Sequence, residues 1–145
     1  MEQKIEINGK KFSISELNEL IANSQKEITE KSTFQDVLNY LGASDKEVIE
    51  YNKLVNANIT SKALYFQMAV CLVRALNQKH ELDWNNKNEY KYYIWWYMNE
   101  FHFGLSRLYS EVSHVPAALC FKNSKLIDVV KNNKEFIEIF KNYML

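Results

Sequence analysis

Proline occurs once and glycine three times in 145 residues, too few for a collagen-like repeat, a flexible linker or a glycine-rich phosphate loop. The two cysteines, Cys71 and Cys120, sit inside the apolar stretches AVCLV and ALCF. They make neither a CxxC pair nor a disulfide framework, so a reducing compartment is the default reading. An excess of one charge is missing too: 18 Lys+Arg balance 18 Asp+Glu. Without a positive surplus a chain is poorly suited to sequence-independent binding of a phosphate backbone. The longest apolar run, residues 63–76, is interrupted by Gln67 and Arg74, whereas a bilayer span takes about 20 apolar residues. It reads as a core helix, and no membrane is expected among the partners. The opening MEQKIEINGKK alternates charge with short apolar pieces and lacks the apolar centre of a secretory signal, so Met1 is expected to begin a cytosolic protein.

What is present is apolar and aromatic material along the whole chain, 47% hydrophobic and 14% aromatic, enough for one domain with a real core. In KIEINGKKFS, residues 4–13, an Asn8-Gly9 pair separates two short alternating stretches and predicts a tight hairpin. Ser13 and Glu16 have capping-box spacing ahead of a helix to about residue 28, with Leu17, Leu20 and Ile21 as its apolar face. Thr33 precedes a helix over 34–41 that Gly42 stops. Ser44 and Glu47 predict a second capping box and a helix to about 56. The segment 61–78 is apolar nearly all round and predicts the central helix of the fold. Strands are expected at 90–98, where Trp and Tyr are concentrated, at 105–112 after Gly104, and at 115–122, where Pro116 suits a strand start or edge. Helices over 124–131 and 133–143 close the chain. The expectation is a single α+β domain over 1–145, mainly helical in 1–60. Its hairpin and helices pack with the central helix against a small antiparallel sheet of about three strands.

The second half carries an ordered set of short motifs: Ala75-Leu76-Asn77, Asp83-Trp84-Asn85-Asn86, Tyr92-Tyr93-Ile94-Trp95 and Leu119-Cys120-Phe121-Lys122, then a Phe- and Tyr-rich end over 136–143. In this order they resemble a group of small uncharacterised proteins encoded by bacteriophages and prophages of Bacteroidetes. The resemblance covers 61–145, about half the chain, and implies a phage origin and an α+β fold. Two positions depart from the group's pattern, which usually has Pro at Ile94 and Ser-Arg at Ala117-Ala118; the missing Arg weakens any shared anion site.

On a strand, Tyr92, Ile94, Trp96 and Met98 fall on one face and Tyr93, Trp95 and Tyr97 on the other. These rings are core if both faces are covered; left bare on one face, they would offer a protein interface, a contact between copies in a homo-oligomer, or a stacking platform for bases. Residues 79–97 hold as many acids as bases, which argues against stacking nucleic acid, whereas 1–60 carries a net −3 and 61–145 a net +3. Asp83, Asn85 and Asn86 suit either a self-bonded turn or the few oriented polar groups of a binding site. His80, His102 and His114 lack metal-ligand spacing, Cys120 reads as a small hydrophobe, and Arg74 on the face of Gln67 and Cys71 calls for a structural ion pair. No catalytic residue, metal or cofactor is expected.

The expected function is therefore binding without catalysis, by a small phage-encoded protein that recognises a host or phage protein in the host cytoplasm. Candidate binding residues are Asp83, Trp84, Asn85, Asn86, Tyr92, Tyr93, Trp95 and Trp96. The alternatives are nucleotide or nucleic-acid binding on the same rings, including sequestration of a host signalling nucleotide, and a minor virion component.

Overall fold

The computed structural model describes residues 4–24, 26–86, 88–96, 103–108 and 116–145. Asn8 and Gly9 both take positive φ, which lets β1 (Lys4–Ile7) fold back on β2 (Lys10–Ser13) as an antiparallel pair. Ser13 then caps α1 (Ile14–Ser24): its hydroxyl accepts from the Glu16 N–H and the Glu16 carboxylate accepts from the Ser13 N–H. The helix stops four residues short of the expected end. Leu17 is half-buried and Leu20 and Ile21 are exposed, so the apolar face read from the sequence does not enter the core.

The next helix, α2 (Phe34–Leu41), has the expected bounds. Thr33 and Asp36 form a capping box, and Gly42, at φ 85°, ends the helix with its N–H on the Leu38 carbonyl. α3 (Lys46–Asn56) starts one residue later than its sequence suggests. Asp45, rather than Ser44, is the cap, because its carboxylate reaches the Glu47 N–H at 3.0 Å while also serving Arg74 from the next helix. That helix, α4 (Lys62–Leu76), is the centre of the molecule. Residues 69–73 and Ala75 and Leu76 are buried on every side, and α4 packs against α2, α3 and the last helix. Each fully buried Val, Leu or Phe of this kind contributes about 1.5–3 kcal/mol.

Strands β3 (Lys91–Trp96) and β4 (Phe103–Leu108) pair antiparallel, Lys91 opposite Leu108 and Trp96 opposite Phe103. Among the described residues the third expected run joins this sheet at one bridge, Phe121 to Tyr92. Ala117–Leu119 is instead a 3-10 turn, with Pro116 at its start. Tyr97, Met98, residues 109–112 and Val115, also assigned to strands from the sequence, lie outside the described residues. Two helices follow, α5 (Lys125–Lys131) and α6 (Lys134–Met144). Asn133 both caps α6, accepting from the Phe136 N–H, and donates to the Glu30 and Ser32 carbonyls. The Glu135 carboxylate accepts from the Phe34 N–H at the start of α2.

The architecture is α+β, and one hydrophobic cluster runs from Ile28 to Phe140 with α4 at its middle. T-shaped Phe34 and Tyr51, 5.3 Å between ring centres, join α2 to α3; Phe66 and Tyr143, at 5.1 Å, join α4 to α6.

The two capping boxes set an acid limit. Bonding from the Ser13 and Thr33 N–H groups, with help from their hydroxyls, holds the Glu16 and Asp36 carboxyls below their ordinary values. Carboxyls depressed by folding stabilise the protein above their unfolded values, and that stabilisation is lost as pH falls through the folded ones. We expect the melting temperature to be level near neutral pH and to fall on acidification below about pH 4–5. Asp36→Asn should cost about 0.5–1 kcal/mol at pH 7, and this difference should shrink as the wild type's own carboxylate protonates. Thermal melts of both proteins across pH check this; a difference constant down to the acid limit would exclude the cap as its source.

Candidate functional site

The Asp83-Trp84-Asn85-Asn86 loop is organised around a side chain that the sequence reading passed over. Lys91, the first residue of β3, is 0% exposed. Its ammonium donates to the carbonyls of Asp83 (2.7 Å), Glu89 (3.0 Å) and Asn86 (3.3 Å). It lies 3.5 Å from the Glu89 carboxylate and 5.2 Å from the centre of the Trp84 ring. A buried charge is tolerable only when bonded and paired in this way. The loop fastens itself by the local bonds expected of such residues: Asp83 Oδ1 accepts from the Asn85 N–H, Asn86 Oδ1 from the Asn88 N–H, and the Glu89 carboxylate from the Asp83 N–H. The polar side chains of Asp83 and Asn86 are therefore engaged in turn geometry, and Asn85 is exposed.

A second polar clasp joins the end of α4 to the segment after the 3-10 turn. Buried Asn77 donates to the Cys120 carbonyl and accepts from the Lys122 N–H, each at 2.9 Å. Between the two clasps opens a cleft of about 300 Å³. Lys46 and Glu47 stand on its α3 side, Val70, Val73 and Arg74 on α4, His80, Glu81, Leu82 and Trp84 on the loop, and Ala117 and Ala118 on the turn.

The charges of the cleft are largely neutralised from within. Arg74 Nε is held by both Asp45 oxygens, at 2.9 and 3.1 Å, with Asp45 5% and Arg74 20% exposed. Lys46 pairs with Glu81 at 3.0 Å, and that contact, with Arg74 nearby, holds the Glu81 carboxyl below its usual value. The ion pair expected for Arg74 is thus present. Its helix-face neighbours join the same clamp, Gln67 donating to the Glu47 carbonyl and carboxylate and Cys71 to the Glu47 carbonyl.

Among the described residues the aromatic candidates lie in different surroundings. Trp84 is half-buried on the wall of this cleft. Tyr92 packs against the core and exchanges backbone bonds with Phe121. Tyr93 lines a separate hollow of about 220 Å³ with Ile94, Leu119, Phe140, Tyr143 and Met144. Trp95 is half-buried, and the Trp96 side chain lies outside the described residues. Tyr92, Tyr93 and Trp95 are thus each part-covered, while Tyr97 and Met98 of the same strand faces lie outside the described residues.

Neither thiol is prepared for nucleophilic work. Burial pushes the Cys71 thiol up to about 12, with the Glu47 and Asp45 carboxylates adding to it, and burial pushes the Cys120 thiol up to about 11. Both are protonated at neutral pH, and the thiolate is the reactive form. Among the described residues no three His, Cys, Asp or Glu side chains group as metal ligands, and no helix is long and apolar enough to cross a membrane. His102 and His114 lie outside the described residues. Comparison with known proteins finds no matching family model, no matching curated protein and no matching solved structure.

Proposed function

We propose that this chain acts without catalysing a reaction, by seating part of a protein partner in the cleft beside Trp84. The observation that carries this reading is the charge state of the cleft: its most enclosed cation, Arg74, is taken up by Asp45, and Lys46 is taken up by Glu81. A phosphate would have to displace these carboxylates. An apolar side chain of a partner would instead meet Val70, Val73, Leu82, Ala117, Ala118 and the Trp84 ring, with the exposed Lys46–Glu81 pair beside it. A half-buried Trp in such a setting is a frequent source of binding energy. The phage-type motif order of the second half supports an origin in a bacteriophage or prophage and a partner from the host or the phage, met in the host cytoplasm.

The test is a tagged pull-down from infected-host lysate, with and without nuclease, using wild type, Trp84→Ala and Ala118→Tyr. Ala118 is exposed, so the tyrosine fills the cleft without entering the core. We expect a protein band that survives nuclease with wild type. With Trp84→Ala its affinity should fall about 30-fold, the size of a hot-spot loss of about 2 kcal/mol, and with Ala118→Tyr it should be lost. A partner lost from the wild type after nuclease, or retained in full by Ala118→Tyr, would sink the proposal.

A further inference from the structure

The N-terminal hairpin carries apolar side chains that the rest of the described chain leaves uncovered. Ile5 is 47% and Ile7 46% exposed; both lie on one face of β1, where Ile5 stands directly opposite Phe12 of β2. Ile14 and Leu20 of α1 are exposed as well. Among the described residues β1 pairs with β2 alone, so its second edge has no strand beside it. A two-stranded hairpin is marginal in water by itself, and an apolar edge is a template for another strand.

The turn decides which backbone groups face that edge. With Asn8 and Gly9 as a two-residue loop, Ile7 and Lys10 exchange hydrogen bonds, as do Ile5 and Phe12. The N–H and C=O groups of Lys4 and Glu6 therefore point outwards. An antiparallel β1 from a second copy matches them in the register that sets Lys4 opposite Glu6 of that copy, Glu6 opposite its Lys4, and Ile5 opposite its Ile5. In that register the hydrogen-bonded positions hold opposite charges, and the two Ile5 side chains meet at the closer, non-hydrogen-bonded position. A slip of one residue puts the hydrogen-bonding groups out of phase. A slip of two places Glu6 against Glu6 or Lys4 against Lys4, which like charges oppose.

We propose that β1 is a self-association strand. Two copies of the chain join β1 to β1 about a twofold axis, giving a sheet ordered β2-β1-β1-β2 with Ile5, Ile7 and Phe12 of both copies on one face. The contact is independent of the Trp84 cleft and of its occupant.

Sedimentation equilibrium on the full chain over a micromolar concentration series tests this. Wild type is expected to reach twice the 17.2 kDa chain mass. Lys4→Glu and Glu6→Lys each place like charges at both paired positions, and each should sediment at one chain mass. Both residues are exposed, so the circular dichroism spectrum should not change. Mixed in equal amounts, the two variants should return to twice the chain mass, and the chain carrying both changes should do so alone, recoveries that a folding defect does not allow. A wild type that stays at one chain mass throughout the series overturns the proposal, as does a single variant that associates as the wild type does.

Discussion

Lys91→Ala should lower the unfolding free energy by about 3–5 kcal/mol, measured by urea denaturation at neutral pH. The substitution removes the donor shared by the Asp83, Asn86 and Glu89 carbonyls, strips the Glu89 carboxylate of its close cation and empties the space filled by a fully buried side chain. Lys91→Met separates these causes. It retains most of the stem's volume but leaves the same carbonyls unsatisfied, so the loss should be smaller, about 2–3 kcal/mol. Hydrogen exchange should report the change first in the 83–89 loop, because that backbone is organised around the ammonium. A Lys91→Ala protein within about 1 kcal/mol of wild type would mean that the loop closes without its central charge. Since Trp84 lies over Lys91, either substitution should also reduce partner capture in the cleft, even though Lys91 is not among the residues that line it.

Phe121→Ala should cost a similar amount, about 3–5 kcal/mol, for a different reason. Phe121 is fully buried, with its ring centre 6.4 Å from that of Phe140 in α6. Its N–H donates to the Tyr92 carbonyl at 2.7 Å and its carbonyl accepts from the Tyr92 N–H at 3.1 Å. Those backbone bonds do not depend on the side chain, so alanine removes ring packing alone and opens a void between the sheet and α6. Cys120, buried next to it in sequence, supplies a direct readout: a thiol reagent should modify Cys120 faster in Phe121→Ala than in wild type. Unchanged labelling together with an unchanged urea midpoint would show that the ring is not part of the core.

The elements that the sequence displays clearly are those whose signals are local. Thr33 and Gly42 bracket α2 because a cap hydroxyl and a positive-φ residue act within their own turn. Asn8 and Gly9 announce the hairpin for the same reason. α1 shows where such signals stop: its apolar spacing is real, yet Leu20 remains exposed, since periodicity names a face without naming what covers it. In residues 115–122 a short apolar run suggests a strand, but Ala117–Leu119 forms a 3-10 turn, and among the described residues one bridge, at Phe121, reaches the sheet. The candidate site was legible at Trp84 and in the polar turn residues around it. Lys91 was not, because three of its partners are backbone carbonyls, which no residue type encodes. Nor was the cleft, whose walls come from segments far apart in the chain, Lys46 on one side and Ala118 on another. The one hint lay in the sequence EYKYYIWW, where a lysine enters a run of rings that has little room for solvent.

The fastening of α6 also bears on the order in which the chain can become a protein. Asn133 and Glu135 bond to backbone atoms of residues 30–34, about a hundred positions earlier, and α6 is a principal cover for α4. During synthesis the most apolar helix of the molecule therefore leaves the ribosome well before the helix that shields it. Until α6 emerges, α4 lacks that cover and Phe66 lacks its ring partner Tyr143, and nascent chains stalled in this interval are natural clients for a chaperone. Closure of the core is thus a late event that draws the two halves together at once, and a chain shortened by its last helix would lose a wall of the core together with the anchor of the segment leading into α2.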